Sequence, residues 1–323
     1  CVTSEGFIHG SVNPNGAVTG RATHSHPNLA QVPATGAPYG EECRSLFTVP
    51  NGWLLLGSDA SGLELRCLGH FMAEFDGGAY IKEIFEGDIH WANAQAAGFI
   101  PKGTVRDKHN ELHEEARRRA KRFIYAFLYG AGDELIGELV GYEEEDYERW
   151  KAAGSHKPIV AQFKARGERV VRKRICHILK GKEVKKAFLK GLPALKQVIS
   201  RVKDHAEEHG FIVGLDGRRV PIRSSHAALN FLLQGAGALI CKYWIILVNK
   251  MMQERGYVHG WNGDYAYCAW VHDEVQVAVR NREIGEALGQ VCIEAMQVVE
   301  REFNFRCPLA AEYDIGKSWK ETH

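Results

Sequence analysis

Two acidic segments lie far apart in the chain, and each adjoins apolar residues. The first begins at Asp59, and the second is His272-Asp273-Glu274. Carboxylates on rigid elements are the oxygen ligands that hard divalent cations prefer, and a pair of them suits phosphoryl transfer assisted by two metal ions. Asp59 and Asp273 therefore predict a metal-dependent phosphoryl-transfer site.

β-Strands must position these acids. Residues 53–58 form a short apolar run before Asp59, and residues 265–271 and 275–279 flank the second segment with β-branched and aromatic side chains. This pattern predicts a buried strand and a hairpin. Asp is also common in turns, so an ordinary turn is an equally good explanation of either segment taken alone.

A basic helix between the two acids carries the second chemical signal. Residues 117–129 have a helical pattern, closed by Gly130 in the position favoured after a helix end. Residues four apart share a helix face, and here one face carries Arg117, Lys121, Tyr125 and Tyr129. Cations followed by flat rings match a nucleoside triphosphate, because Arg and Lys bind phosphate oxygens. The alternative is a solvated basic face, the usual role of a charged run.

These segments resemble motifs A, B and C of the family A DNA polymerases, and their amino-acid sequences are similar to those of the bacteriophage T7-like replicative branch. The three motifs are residues 59–66, 117–130 and 271–276. Further resembling stretches are residues 8–16, 19–24, 27–31, 87–90, 214–218, 227–230 and 234–242. The similarity covers nearly the whole chain except residues 142 to about 178. It implies a DNA-directed DNA polymerase that acts in DNA replication, joining a dNTP to a primer 3′-hydroxyl with release of pyrophosphate.

The resemblance also implies catalytic and metal-binding residues. Asp59 and Asp273 match the aspartates that hold two Mg²⁺ ions, with Mn²⁺ as a substitute, and the Ala60 carbonyl would complete the shell. Glu274 matches the third acid of motif C, as a supporting group rather than a direct ligand. Lys121 is also placed to donate a proton to the leaving pyrophosphate.

Substrate contacts follow from the same resemblance. Arg117, Lys121 and His90 match groups that grip the triphosphate. Glu64 and the ring of Tyr125 would close the space that a ribose 2′-hydroxyl needs. Tyr129 would stack near the templating base, although a core aromatic is its plain alternative.

Four further residues match positions that touch the minor groove near the primer end, where correct pairs present similar acceptors. They are Arg21, Asn230, Gln234 and His272. The alternatives are a helix surface for Asn230 and Gln234, and an ordinary turn histidine for His272.

The implied fold is α+β, with an antiparallel palm sheet backed by helices, such as residues 226–253 and 283–303, and a mainly helical fingers domain inserted in it. The expected domains are residues 1–75 (palm), 76–214 (fingers) and 215–323 (palm, with the motif C hairpin). The divergent segment at about 142–178 is either an insertion that contacts DNA or a replication partner, or a neutral loop.

Relatives carry a thumb and commonly a 3′ to 5′ exonuclease domain, and neither has a counterpart in these residues. We therefore expect primer-template DNA and dNTPs as partners, together with a second chain or N-terminal segment that supplies the thumb. No proofreading is expected from these residues.

Composition agrees with this interpretation without requiring it. The formal net charge is only +1, but residues 164–190 hold eleven Lys and Arg against two Glu, a stretch that is either solvated or faces a nucleic-acid backbone. Eight cysteines form no zinc-type spacing, and no signal peptide or 18-residue apolar span is evident. A cytoplasmic protein without a membrane partner is expected.

Three other functions stay open on these residues. A single-subunit RNA polymerase uses similar acids, although Glu64 beside Tyr125 speaks against it. A catalytically incomplete DNA-binding or assembly subunit is possible without a thumb. A metal-dependent nuclease also uses paired carboxylates, but it does not need the helix of cations and rings.

Overall fold

The computed structural model describes residues 2–323, and the chain divides into two compact units. The sheet unit takes in the residues up to His70, then Phe211–Pro221 and Phe231–His323. The helical unit takes in Phe71–Gly210 and Ile222–Asn230. The expected fold class, α+β with a mainly helical part inserted in the part that bears the sheet, is confirmed.

All the strands belong to the sheet unit. They are β1 (Ser11–Asn13), β2 (Thr23–Ser25), β3 (Leu54–Ala60), β4 (Phe211–Val213), β5 (Arg219–Pro221), β6 (Tyr265–Val271), β7 (Glu274–Val279) and β8 (Ala311–Gly316). The main sheet has the antiparallel order β6-β7-β3-β8, while β1 pairs with β2 and β4 with β5. The predicted buried strand and hairpin are therefore confirmed.

The helices vary from one to seven turns. They are α1 (Gly40–Ser45), α2 (Leu63–Asp76), α3 (Ala79–Glu86), α4 (Ile89–Ala96), α5 (Glu111–Leu128), α6 (Asp133–Val140), α7 (Glu144–Ala152), α8 (Lys157–Ala165), α9 (Arg172–Gly191), α10 (Pro193–His209), α11 (Ala228–Glu254) and α12 (Arg282–Glu302). The two helices expected behind the sheet correspond to α11 and α12.

The two faces of the main sheet have different chemistry. Successive side chains of a strand alternate between faces, so β7 sends Val275 and Val277 to one face and Glu274 and Gln276 to the other. The valine face packs on α12, which approaches so closely that a Cβ at Gly289 would lie 2.5 Å from the ring of Tyr313 on β8. The opposite face carries acidic side chains, those of Glu274 and its pairing partner Asp59.

Helix α5 in the helical unit ends before Gly130 as its sequence predicts, but it begins at Glu111, six residues before the predicted stretch. The Asn110 side chain caps its first turn, and Gly130 follows it with a φ of 79°, a left-handed conformation that glycine adopts without strain. Its apolar side packs inward, with the Phe123 ring 4.9 Å from that of Phe188. Phe123 and Leu128 are buried and Phe127 is half-buried, so the polar stripe is free to face outward.

The divergent segment folds around a small core of its own. It comprises α7, α8 and the first half of α9, and these helices share a cluster of buried side chains. The cluster consists of Trp150, Ile159, Phe163, Ile175, Cys176 and Leu179. The segment is therefore an ordered group of three helices with its own packing rather than an irregular loop.

The expectation that the chain contains no 18-residue apolar span is wrong. The helical stretch Ser225–Glu254 is long and apolar enough to cross a membrane by length and composition. However, 56% of its most apolar window is buried within the protein, as in an ordinary core helix. The tryptophan at 244 shows why the stretch is apolar, since it is fully buried and donates its indole N–H to the Cys292 carbonyl of α12.

Candidate active site

The main sheet brings the two predicted acids together. Asp59 lies near the end of β3, directly opposite Glu274 of β7, and Asp273 occupies the two-residue turn between β6 and β7. The Ala60 N–H donates to the Asp273 carbonyl at 3.1 Å, which ties the end of β3 to that turn. Two carboxylates from distant parts of the sequence thus share one edge of the sheet.

These acids are crowded by like charges in a partly buried place. Burial and then the neighbouring Asp273 and Glu274 carboxylates raise the pKa of Asp59 to about 7. Burial and then Glu64 raise the pKa of Asp273 to about 6, against the opposing effect of Arg21. The site therefore concentrates negative charge that its own cations do not balance, which is the electrostatic condition for binding a divalent cation.

Glu274 differs from its neighbours, because donors surround its carboxylate. It is 4% exposed, it accepts hydrogen bonds from the Trp319 indole and the Gln276 amide, and its Oε2 lies 3.0 Å from His323 Nδ1. The buried Arg44 guanidinium lies 3.7 Å away. Burial alone would raise the pKa of Glu274, but the hydrogen bonds from His323, Gln276 and Trp319 outweigh it and lower that pKa. Its oxygens are already engaged by this chain.

Three more predicted residues lie beside the acids in the sheet unit. Arg21 forms an ion pair with Glu64 of α2 at 3.5 Å, and Arg21, His272 and Asp273 line the same small cavity. His272 has a φ of 57°, the left-handed value that the first position of a tight hairpin turn requires and that side chains other than glycine seldom adopt. Strained backbone of this kind is typical of functional turns.

The polar stripe of α5 is accessible along its length. Arg117 and Tyr125 are half-buried, while Lys121 and Tyr129 are exposed. Lys121 has no ion-pair partner within residues 2–323. Because 44% of the Tyr129 surface is exposed, the alternative of a core aromatic does not hold for this residue.

His90 lies beside the stripe in the helical unit. Its ring centroid is 6.2 Å from that of Tyr125, and burial followed by Arg117 and Lys121 lowers the pKa of His90 to about 4. The ring is therefore neutral at pH 7, and a polyanion bound beside it would raise that pKa. Arg117 is fixed by Asp88, whose carboxylate accepts its Nε–H at 2.7 Å and also caps α4 by accepting from the His90 and Trp91 N–H groups.

The remaining two predicted residues lie four positions apart on α11. The Asn230 side chain donates to the Tyr129 carbonyl and so satisfies the end of α5, while its own side-chain oxygen is buried without a hydrogen-bond partner among residues 2–323. Gln234 is half-buried. The roles expected of these residues, like those of the other site residues, stay predictions.

The donor set fits Mg²⁺. No group of three His, Cys, Asp or Glu side chains suited to a metal ion occurs within residues 2–323. Mg²⁺ does not require such a group, since it keeps several waters and commonly takes one or two carboxylates together with substrate phosphates. Asp59 and Asp273 supply those hard oxygens, and burial followed by the neighbouring carboxylates raises the pKa values of both.

Sequence reasoning missed the residues that hold the site in place. Arg44, Trp319 and His323 engage Glu274, and Asp88 fixes Arg117. Arg44 and Trp319 do not belong to a periodic pattern of apolar residues, so the sequence does not mark them. Asp88 offered a signal, because it precedes a helical run as an N-cap residue does.

Comparison with known proteins gives a consistent result. The sequence model of "DNA polymerase family A" matches residues 1–153 and 168–321. Over its whole length the chain is 45% identical to the DNA-directed DNA polymerase of Enterobacteria phage T3 and 44% identical to that of Escherichia phage T7. It spans 42% of the length of each.

A solved structure has the same fold. The POL domain of Pol1 from M. smegmatis, in complex with DNA primer-template and dNTP, superposes with a TM-score of 0.72 at 24% identity. The match covers 99% of this chain and 49% of that chain. The resemblance seen in motifs A, B and C is thus confirmed over the chain as a whole. The chain belongs to DNA polymerase family A.

Proposed function

We propose that this chain carries out template-directed DNA synthesis, transferring a deoxynucleotide from a dNTP to a primer 3′-hydroxyl. In this proposal the sheet unit is the palm and the helical unit the fingers of a phage-type replicative polymerase. The observation that carries the proposal is the pair of carboxylates on β3 and the β6–β7 turn, in a family A chain.

The residues divide the work by their chemistry. Asp59, Asp273 and the Ala60 carbonyl would hold Mg²⁺, which when bound supplies Lewis-acid stabilisation of the phosphoryl oxygens. Arg117 and Lys121 bind the triphosphate through charge-assisted hydrogen bonds, and neutral His90 donates to it. Lys121 protonates the departing pyrophosphate. Glu274 positions the β6–β7 turn, because its carboxylate is anchored to Trp319 and His323.

Primer extension tests the proposal directly. The chain, Mg²⁺, a primer-template with a short 5′ overhang and one dNTP are mixed, and single-nucleotide incorporation is followed on a gel. We expect incorporation of the complementary dNTP only. Preference for rNTPs would indicate an RNA polymerase, shortening of the primer a nuclease, and DNA binding without incorporation an assembly subunit, and each of these results would contradict the proposal.

Lys121→Ala is expected to raise the KM for dNTP by roughly 10- to 100-fold, because a hydrogen bond between charged groups contributes ~1.5–3 kcal/mol. It should also lower kcat, because the departing pyrophosphate loses its proton donor. Steady-state incorporation kinetics measure this change. Arg118 is the matched control, since it lies on the same helix but is exposed and paired with Glu115. An equal rise in KM for Arg118→Ala would show that only the charge of α5 matters and not the stripe.

Glu64→Ala is expected to reduce the preference for dNTP over rNTP by roughly 100-fold, because the side chain would no longer fill the space beside the sugar. The ratio of kcat/KM values for dATP and ATP on one primer-template measures it. Glu64→Gln keeps the bulk of the side chain and breaks its ion pair with Arg21. If Glu64→Gln loses as much selectivity as Glu64→Ala, the loss comes from Arg21 rather than from bulk.

A further inference from the structure

The helical hairpin formed by α8 and α9 carries a surface that the polymerase site does not use. The family match leaves out residues 154–167, which include α8. Ile159 and Phe163 anchor α8 to Ile175 and Leu179 of α9, so the hairpin is a firm platform. Lys157 and Lys164 are seven residues apart and therefore lie on one side of α8, away from its buried side.

Residues 157–173 are strongly basic, with six Lys and Arg against one Glu. The cations of this region fall into two classes. Arg172 and Arg174 are paired with acids of the same unit, at Glu144 and Glu134 respectively. A second class makes no side-chain hydrogen bond or ion pair anywhere in residues 2–323. Its members are Lys157, Lys164, Arg169 and Lys173, all exposed.

A contribution to stability does not explain why cations without ion-pair partners lie close together around the α8–α9 connection. A cation in the last turn of a helix favours the helix dipole, which explains Lys164 but not Arg169 in the connecting segment. Arg166 lies between them, 69% exposed and only 3.9 Å from its nearest acid, Glu168. Like charges repel, and the single acid among them, Glu168, lies closer to Arg174, at 3.1 Å.

We propose that Lys164, Arg166, Arg169 and Lys173, the α8–α9 basic patch, bind the phosphodiester backbone of a nucleic-acid strand outside the polymerase site. The choice of nucleic acid among polyanions rests on the proposed function. The patch carries no exposed aromatic ring, because Trp150 and Phe163 are buried and Tyr147 lies under the Arg172 guanidinium. Binding is therefore through phosphates, without base stacking and without sequence preference.

The salt dependence of DNA binding tests this proposal. A fluorescein-labelled single strand of about 40 nucleotides is titrated by anisotropy at about 50 and 200 mM KCl. The test variant combines K164Q, R169Q and K173Q. Each lost phosphate contact lowers the salt slope by about 0.7 for single strands, so the unchanged protein should lose about 20-fold more affinity than the variant across this range.

A matched control removes the same charge elsewhere. K82Q, K250Q and R282Q remove three exposed cations, each of which pairs with a glutamate four residues on. The control should keep the salt slope of the unchanged protein. Equal slopes for all three proteins, or an equal change in the control, would overturn the proposal. Polyglutamate that competes as well as DNA at equal charge would also overturn it.

A second measurement separates this proposal from the proposed function. The K164Q, R169Q and K173Q variant should extend a primer-template with a short overhang at a rate within about twofold of that of the unchanged protein. The three substituted cations are proposed to bind only nucleic acid outside the polymerase site, which a short overhang does not provide. If the unchanged protein does not extend the primer but its salt slope still depends on the patch, the proposal of DNA synthesis is rejected and the proposal of the patch is kept. An active protein whose slope does not depend on the patch would reject the patch alone.

Discussion

Asp59→Asn is expected to lower primer extension by at least about 1,000-fold, equivalent to ~4 kcal/mol of transition-state stabilisation, while making the metal-free protein more stable at pH 8. The first effect follows from losing one of two carboxylates that would hold Mg²⁺. The second follows from removing a charge that is poorly tolerated where it lies. A residue that only supported the fold would not give both effects with opposite signs.

The sign of the stability effect comes from the pKa values. The pKa of Asp59 is about 7 in the folded protein against 3.8 for an ordinary Asp, and the pKa of Asp273 is about 6. The folded protein therefore holds protons that the unfolded chain releases between about pH 4 and pH 7. Stability falls as the pH rises through this window. Asp59→Asn should remove that loss, giving a gain of about 2–4 kcal/mol at pH 8 and little gain at pH 4.

Urea unfolding without divalent cations at the two pH values measures this change. About 10 mM MgCl₂ should then stabilise the unchanged protein and not the variant, because a ligand stabilises only the state that binds it. Asp314→Asn is the matched control, since it changes the same charge on β8 of the same sheet. Destabilisation by Asp59→Asn at pH 8, or a Mg²⁺ effect that survives it, would count against the assigned site.

Local patterns explain what could be predicted of the fold. The apolar run before Asp59 was sufficient for β3, and the β-branched and aromatic residues on both sides of the second acidic segment were sufficient for the hairpin. The end of helix α5 was equally clear, since Gly130 follows it in the left-handed conformation. Its start at Glu111, capped by Asn110, was not predicted. The apolar stretch 225–254 was overlooked, and composition would not in any case have distinguished a core helix from a spanning one.

The site was predictable only where its chemistry is local. Asp59, Asp273 and the α5 stripe have side-chain types that match a reaction, and family motifs connect them. The environment of Glu274 depends on the chain end returning to the sheet, where Thr322 donates to Gln276 and Trp319 to Glu274. Contacts between residues 45 positions apart leave no periodic trace in the sequence, so their energetics require the structure.

Arg44→Met is expected to destabilise the protein by about 3 kcal/mol, because it removes one member of a buried ion pair. Both side chains are almost inaccessible, with 6% of Arg44 and 5% of Glu274 exposed. The other contacts of the guanidinium are the Pro33 carbonyl, which accepts its Nε–H at 3.0 Å, and the ring of Trp319 at 4.6 Å. Urea unfolding at pH 7 measures the change.

Glu274→Gln should cost as much or more, about 3–5 kcal/mol, since it leaves the Arg44 charge buried without an acid. The double variant, Arg44→Met with Glu274→Gln, leaves neither charge uncompensated. Its cost should therefore fall short of the sum of the single costs by at least ~2 kcal/mol. The exposed pair Lys250–Glu254 provides the control cycle, in which we expect a coupling below ~0.5 kcal/mol.

Activity should distinguish the two members of this pair. Arg44→Met keeps the Trp319, Gln276 and His323 contacts of Glu274, so the β6–β7 turn that bears Asp273 should stay in place and kcat should fall by less than about tenfold. Glu274→Gln places an amide where the Trp319 indole and His323 both face a carboxylate, and kcat should fall further while the KM for dNTP changes little. Additive stabilities in the double variant, or a KM effect in place of a kcat effect, would mean that Glu274 neither pairs with Arg44 nor positions the turn.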